Sequence, residues 1–378
     1  MRITDLVVER FRYESETVRD SEGHSHPGPR HEASGSLLRV MTDEGIEGYA
    51  LGGNLASIVE IARPLLVGED PLYRERIWQG LRERQRLHLG SFSDAVLASV
   101  DEALWDLAGR ACGQPVFKLL GAYRDRVMAY ASTMCGDDLI GGLNTPEAYA
   151  DFALACLERG YRAFKLHTWQ PPVVGAPDVR RDVEACVAVR KAVGDRMALM
   201  LDPYHYYSRI DACYLGRALQ ELDFAWIEEP MDEDSVSSYV WLADELQLPV
   251  CGPETAAGKL RTRAEWITRG AIDICRAGVG DVGGITPLIK AAHLSEAFGI
   301  DLEVHGGGAA NLHALCAMGS RGRYYERGLL HPYLDYEKPK PWLFALEDPM
   351  DAGGSVRVSQ GPGLGLEIDF GYIRAHAL

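Results

Sequence analysis

Three carboxylates recur at one interval along the chain. Asp202, Glu228 and Glu254 lie 26 residues apart, which is about the length of one strand-plus-helix unit. Equal spacing would place them at the same height on three adjacent strands, where their charges would repel unless a cation lay among them. Oxygen ligands favour Mg²⁺, with Mn²⁺ as a substitute, over zinc. Any one of them alone would be interpreted as a solvated loop carboxylate, but the shared interval favours a metal site.

Two basic residues precede the first of these carboxylates. Lys165 and His167 are two residues apart in a short apolar run, so on a strand both side chains face the same side. Together inside a barrel, each would lower the pKa of the other by like-charge repulsion, which gives a base usable near neutral pH. The alternative is a surface lysine beside a core histidine. Their place just upstream of the Asp202 strand favours the base.

Two further residues could complete an acid/base site. His305 ends a later apolar run and precedes three glycines, so it could face a substrate from the opposite side of a barrel. A satisfied core histidine is the alternative. Glu326 lies near an eighth-strand position and, if protonated, could donate a proton to an oxyanion.

These residues require a scaffold of repeated strand–helix units. From about residue 126, short apolar runs alternate with amphipathic helices, which predicts an α/β fold with a parallel sheet. Seven or eight such units would close a barrel, and barrel enzymes build their active sites where the strands end. An open doubly wound sheet is the alternative, but it calls for a Gly-x-Gly-x-x-Gly motif that the sequence lacks.

The chain divides into three parts on this interpretation. Residues 1–125 form an α+β unit, 126–335 the barrel, and 336–378 a segment that packs back on the first unit. Within the first part, residues 14–30 are polar. Such a stretch predicts a loop that acts as a mobile lid or is disordered.

Composition excludes several classes of function. The 378 residues include 55 acidic and 39 basic side chains, a net charge of −16, which argues against binding nucleic acid or anionic lipid. No apolar run approaches the length of a membrane span, and the N-terminus lacks an apolar signal segment. Eight scattered cysteines without a Cys-x-x-Cys pair predict free thiols and a cytoplasmic location.

Several segments carry a resemblance to a known family. They are Asp101–Gly109 (DEALWDLAG), Phe164–His167 (FKLH), Trp226–Pro230 (WIEEP), Gly283–Thr286 (GGIT) and Pro362–Gly365 (PGLG). In this order they resemble the enolase superfamily, in its mandelate racemase-like branch. The resemblance implies an N-terminal α+β capping domain, completed by the C-terminal tail, and a modified (β/α)7β TIM-type barrel. It also implies one Mg²⁺ and a reaction in which a base removes the proton α to a carboxylate and the metal stabilises the enediolate.

The resemblance also assigns roles by position. It implies Asp202, Glu228 and Glu254 as the metal ligands. The family's Lys-x-Lys pair falls on Lys165 and His167, so His167 takes the base position and Lys165 tunes it, contacts the carboxylate, or is itself the base. His305 matches the opposite acid/base histidine and Glu326 the electrophilic glutamate. His24 and His26, in the capping segment, would close over the substrate.

The first departure from the family concerns the partner of its histidine. The family's histidine pairs with an Asp five residues before the Gly-Gly, but that position is Gly278 here, with Asp281 three residues later. His305 would then lack support as a base unless Asp281 or another group replaces the missing Asp. Without that support, we expect proton abstraction from the Lys165/His167 side alone and dehydration over racemisation.

Residues near these departures are candidates for substrate contact. Arg276 precedes Gly278 and, facing inward, would suit an anionic group. The second departure from the family follows Asp202, where Tyr204 takes the place of the family's Asn. His205 comes next in the chain.

We therefore expect a dehydratase of an acid sugar, an aldonate or aldarate, in carbohydrate catabolism. A racemase, an epimerase or a cycloisomerase on the same scaffold is the first alternative. A non-catalytic acid-sugar binding protein is the second. The expected partners are a small carboxylate substrate and other copies of the chain.

Overall fold

The first unit is a three-stranded antiparallel sheet packed on a helix. The computed structural model describes residues 1–88, 90–319 and 322–378. The strands are β1 (Ile3–Arg19), β2 (Ser25–Thr42) and β3 (Glu47–Gly52). The helices that follow are α1 (Ser57–Ile61), α2 (Arg63–Leu66), α3 (Arg74–Gln85), α4 (Asp94–Cys112) and α5 (Val116–Leu119). A Cβ on Gly48 of β3 would collide with the backbone of α4, so glycine permits this close packing.

The polar segment 14–30 differs from the prediction. The sequence predicts a loop, whereas β1 and β2 continue as a paired ribbon to Arg19 and Ser25. The third strand pairs only with residues 36–41 of β2, so the ribbon extends beyond the packed sheet with both faces partly exposed. A ribbon without a buried face needs no apolar alternation, and the sequence therefore gives no strand signal.

The rest of the fold is the expected modified (β/α)7β barrel. Its parallel strands are β4 (Arg126–Thr133), β5 (Ala163–His167), β6 (Ala198–Asp202), β7 (Trp226–Glu228), β8 (Val250–Gly252), β9 (Ile274–Ala277), β10 (Asp301–Val304) and β11 (Tyr324–Leu330). The connecting helices are α6 (Pro146–Glu158), α7 (Val179–Val193), α8 (Arg209–Glu221), α9 (Val236–Glu245), α10 (Leu260–Arg269), α11 (Val279–Val282), α12 (Ile285–Phe298) and α13 (Ala309–Ala317).

Sequence signals set these boundaries locally. Thr145 begins α6 by accepting a hydrogen bond from the backbone N–H of Ala148, and Pro146 occupies the first turn. Gly113 ends α4 in the left-handed conformation with φ 62°.

The strands run in the order β10-β9-β8-β7-β6-β5-β4-β11. Glu303 of β10 accepts hydrogen bonds from the backbone of Arg323 and Tyr324 at the start of β11. This buried carboxylate links the two ends of the sheet and closes the barrel.

The barrel interior changes from apolar to polar over two residues. Its floor is an apolar layer of Tyr130, Ala163, Met200, Trp226, Cys251 and Ile274. Because alternate residues of a strand face the same side, the residues two positions further along point inward above this floor. These are Ser132, Lys165, Asp202, Glu228 and Arg276, and they form the base of the polar site.

The C-terminal segment contacts both parts of the molecule. β12 (Ser355–Arg357) pairs with β4, and α14 (Phe370–Ala375) leads the chain back to the first unit. There the N–H of Leu378 donates to the Arg10 carbonyl at 2.9 Å. Among the described residues, no helix is both long and apolar enough to cross a membrane.

Candidate active site

A cavity of about 120 Å³ opens where the barrel strands end. Its lining includes most of the side chains that the sequence singled out. They are Lys165, His167, Asp202, Tyr204, Glu254, His305 and Glu326, together with Gly306, Gly307, Gly328 and Leu329.

Three carboxylates lie close together where the barrel strands end, and Glu229 stands among them where the sequence predicts Glu228. Which of the two binds a metal ion stays a prediction. Oxygens of Asp202, Glu229 and Glu254 all lie within 4.8 Å of one another. The spacing argument placed Glu228 in this group instead. Both oxygens of Glu228 are engaged below it: Oε1 lies 2.7 Å from Lys165 Nζ, and Oε2 accepts a hydrogen bond from Trp226 Nε1 at 2.8 Å.

This group has the properties of a cation site. Glu229 is buried and its Oε2 has no hydrogen-bond partner. Burial, followed by repulsion from Glu254 and Asp202, raises the pKa of Glu229 well above its usual value. A cation would relieve both the repulsion and the unpaired oxygen. Because the ligands are carboxylate oxygens, the group fits Mg²⁺.

Lys165 is held as a cation rather than tuned toward a neutral base. Its Nζ also lies 3.1 Å from Glu326 Oε1 and 3.5 Å from Asp202 Oδ2. Burial and Arg276 act to lower the pKa of Lys165, but Glu228 and Glu326 outweigh them and raise it well above the usual value. The prediction that like-charge repulsion lowers the Lys165 pKa is therefore wrong, because carboxylates surround the ammonium group.

His167 is oriented by a neutral acceptor. Its Nδ1 lies 2.6 Å from the carbonyl oxygen of Thr133, and its Nε2 lies 3.0 Å from Asp202 Oδ2. A carbonyl can only accept, so Nδ1 carries the hydrogen. Nε2 is then the nitrogen that faces the Asp202 carboxylate.

His305 has a charged orienting partner. Both carboxylate oxygens of Asp281 lie 2.9–3.0 Å from His305 Nδ1, and Nε2 lies 3.1 Å from Glu254 Oε1. Asp281, in the first turn of α11, therefore fits the alternative in which it replaces the missing Asp. One-sided proton abstraction can then no longer be inferred from a lack of support at His305. At Gly278, a Cβ would collide with the His305 carbonyl and come within 2.7 Å of Asp281 Oδ2. The glycine thus makes room for this pairing.

Two predicted roles do not fit the geometry. Glu326 accepts from Ser132 Oγ at 2.7 Å, from Arg276 at 2.6 Å and from the N–H of Gly306 at 2.7 Å. Burial acts to raise the pKa of Glu326, but Lys165 and Arg276 prevail and hold it well below the usual value. An ionised, fully bonded carboxylate is unsuited to the predicted proton donation.

Arg276 is likewise committed inside the protein. It is completely buried, and its guanidinium bonds to Glu228 at 2.9 Å, Glu254 at 3.2 Å and Glu326 at 2.6 Å. It therefore organises the carboxylates, and the predicted contact with a substrate anion is not available to it.

The remaining predicted substrate contacts lie around Tyr204. The Tyr204 ring lies 5.2 Å from that of His167 and 4.5 Å from that of His24, measured between centroids. His24 thus packs behind a lining residue. His26 bonds to Asp20 in the hairpin turn, and the exposed His205 stacks on Tyr206; neither lines the cavity.

Sequence reasoning missed two residues that shape the site, Glu229 and Glu233, and left the role of a third, Asp281, open. Glu229 follows Glu228 directly, and its φ of 30° turns the chain at the end of β7. Glu233 accepts the backbone N–H groups of Glu254, Thr255 and Ala256, which fixes the loop that carries Glu254. Asp281 differs from the family position by three residues, about one helical turn.

The chain matches family descriptions over most of its length. Residues 148–372 match "Enolase C-terminal domain-like", and residues 17–121 match "Mandelate racemase / muconate lactonizing enzyme, N-terminal domain". These matches cover most of the barrel and most of the sheet unit that precedes it.

Individual relatives are also similar over most of their length. A crystal structure of D-glucarate dehydratase from Agrobacterium tumefaciens, complexed with magnesium, is 53% identical with a TM-score of 0.98, covering 100% of this chain and 99% of that one. D-galactonate dehydratase of Ralstonia nicotianae is 31% identical over 88% of each chain. L-talarate/galactarate dehydratase of Salmonella typhimurium is 30% identical over 76% of this chain and 72% of its own.

Proposed function

Because the chain belongs to the mandelate racemase/muconate lactonizing enzyme family of the enolase superfamily, we propose that it is a Mg²⁺-dependent dehydratase of an acid sugar. The observation that best supports this function is the pair of histidines beside the cluster of Asp202, Glu229 and Glu254. Nε2 of His167 lies against Asp202, and Nε2 of His305 lies against Glu254. A substrate carboxylate bound at this group would have one proton-transfer residue on each side.

Asp202, Glu229 and Glu254 would hold the metal ion. Mg²⁺ there would supply the positive charge that offsets the negative charge developing on the substrate carboxylate. Lys165, held as a cation beside Glu228, adds positive charge below the same position. The chain thus provides positive charge from beneath and proton transfer from the sides.

The two histidines differ in the charge of the group at Nδ1. At His167, Nδ1 donates to the neutral Thr133 carbonyl, so Nε2 is the nitrogen that would accept the α-proton. The Asp281 carboxylate favours the imidazolium form of His305, which suits an acid. His167 would remove the α-proton. His305 would protonate the β-hydroxyl as the C–O bond breaks, so that water leaves and the enol product takes a proton from solvent.

The substrate class is best tested with aldarates. The relative that is 53% identical is a D-glucarate dehydratase. In addition, the cavity shares Gly307, Gly328 and Leu329 with a groove of about 610 Å³. Lys338 and Lys340 line this groove and would provide cations for a second carboxylate. We therefore propose an aldarate over an aldonate.

The test is turnover of D-glucarate, galactarate, D-gluconate and D-galactonate by Mg²⁺-loaded protein, followed through the 2-keto-3-deoxy product. We expect turnover of an aldarate that stops on chelation and returns with Mg²⁺. Turnover of only the aldonates would overturn the aldarate assignment. Absence of both product and α-proton exchange with a full acid-sugar library would overturn the dehydratase.

We also propose a cytoplasmic, homo-oligomeric enzyme. The location is supported by all eight cysteines being free thiols, seven of them buried. Size-exclusion chromatography with light scattering tests the assembly, and a monomer would contradict it.

A further inference from the structure

The turn between β1 and β2 gathers three metal-binding side chains outside the cavity. Asp20 precedes the turn, His24 ends it and His26 lies at the start of β2. Asp20 Oδ1 accepts the backbone N–H groups of Glu22 and His24, both at 2.9 Å. These bonds fix the carboxylate so that Oδ2 projects between the two imidazole rings.

The ligand atoms have spacings close to those of a transition-metal site. Asp20 Oδ2 lies 2.8 Å from His26 Nε2 and 3.3 Å from His24 Nδ1, and the three atoms lie within 4.8 Å of one another. Ligands about 2.0–2.1 Å from a tetrahedral zinc ion stand about 3.4 Å apart. Small side-chain rotations would therefore admit a cation, with water in the fourth position. Two imidazoles and one carboxylate suit zinc rather than Mg²⁺.

A second observation points to a missing ligand. His24 is only 8% exposed, and its Nδ1 makes no hydrogen bond, although it lies close to Asp20 without the alignment of one. The His24 ring packs against Tyr204, which keeps Nδ1 turned toward the carboxylate. A buried nitrogen without a hydrogen bond costs free energy, and a bound cation would satisfy it.

We propose that Asp20, His24 and His26 form a second cation site, selective for Zn²⁺ or a similar transition metal, that fastens the hairpin tip beside Tyr204. This site is separate from the carboxylate group and does not depend on the proposed reaction. Because Tyr204 lines the cavity, an ion at the tip would stiffen one wall of its entrance.

The test is zinc stoichiometry of the full chain in millimolar Mg²⁺, measured by competition with a chromophoric chelator. We expect wild type to hold one more equivalent than His26→Ala, and the milder His26→Gln to bind at least tenfold more weakly. His31→Ala is the matched control, since His31 is exposed on the same hairpin, and it should bind as wild type. Equal zinc content in wild type, His26→Ala and His31→Ala would overturn the site.

A second readout does not rely on counting ions. Arg19 is exposed beside the turn, which makes it the candidate site for cleavage of the hairpin by trypsin. Zinc should slow this cleavage several-fold in wild type and in His31→Ala but not in His26→Ala. Cleavage that zinc leaves unchanged in wild type would overturn the fastening of the tip.

Discussion

At the scale of single residues, the group at each histidine's Nδ1 predicts which histidine acts as base. Removing the base should stop all chemistry, while removing the acid should stop only loss of the hydroxyl. We expect His167→Ala to abolish both product and α-proton exchange in heavy water. His305→Asn should lower product formation by about 10²–10⁴-fold and retain exchange.

Asp281→Asn provides the accompanying control, because it keeps a hydrogen-bond acceptor near His305 but removes the charge. It should slow elimination about 10- to 100-fold while exchange continues. If His305→Asn stopped exchange and His167→Ala preserved it, the roles would be reversed.

Measurements of Mg²⁺ affinity can show which of the neighbouring glutamates, Glu228 or Glu229, is the metal ligand. Glu229 carries the unpaired oxygen beside Asp202 and Glu254, whereas Glu228 is neutralised by Lys165 and Arg276. We expect Glu229→Gln to weaken Mg²⁺ binding more than about tenfold, measured calorimetrically, and Glu228→Gln to weaken it less. Loss of affinity in Glu228→Gln alone would identify Glu228 as the ligand, as the regular spacing predicts.

The sequence located the site but not all of its contacts. Lys165, His167 and Asp202 could be placed because strand alternation determines which way they face. Glu229 could not, since it lies beyond the end of β7, where alternation no longer applies and φ turns positive. Spacing is informative within an element and loses that power at the element's end.

At the scale of elements, the turn from β9 into α11 depends on a glycine. A side chain at Gly278 would collide with His305 and Asp281. Gly278→Ala should therefore lower the free energy of unfolding by about 1–3 kcal/mol and slow elimination. Gly280→Ala is the matched control, because a Cβ there meets nothing within 4 Å and helical alanine is favoured by about 0.5–1 kcal/mol. Denaturant titrations in which the two variants behave alike would contradict this account.

The hairpin β1–β2 shows where element prediction fails. The apolar runs of the barrel strands identified them, since each strand is covered on both sides. Residues 14–30 pair as an antiparallel ribbon, and backbone pairing is not encoded in side-chain periodicity. That the tip moves on substrate binding stays a prediction.

At the scale of the whole molecule, buried acids make stability depend on pH. Burial raises the pKa of Asp182 to about 7 from 3.8, although Thr168 and Tyr207 donate hydrogen bonds to it. The folded state therefore keeps a proton that the unfolded chain releases, and stability falls as pH rises between about 4 and 7.

Asp182→Asn should remove this loss, since an amide mimics the protonated acid. The difference in Tm between the variant and wild type should increase from pH 5 to pH 8. Asp151→Asn, on an exposed face of α6, should show no such trend. A constant difference for Asp182→Asn across this range would contradict the argument.

The apolar floor of the barrel determines where substrate can enter the cavity and where products can leave it. Tyr130, Met200 and Trp226 are completely buried beneath the polar layer, so the strands enclose a pocket with a sealed end. In the proposed dehydration, the released water must leave by the same opening through which the sugar acid arrived. Substrate binding and release of both products would then use the same opening of the cavity. That opening lies beside Tyr204 and the hairpin tip.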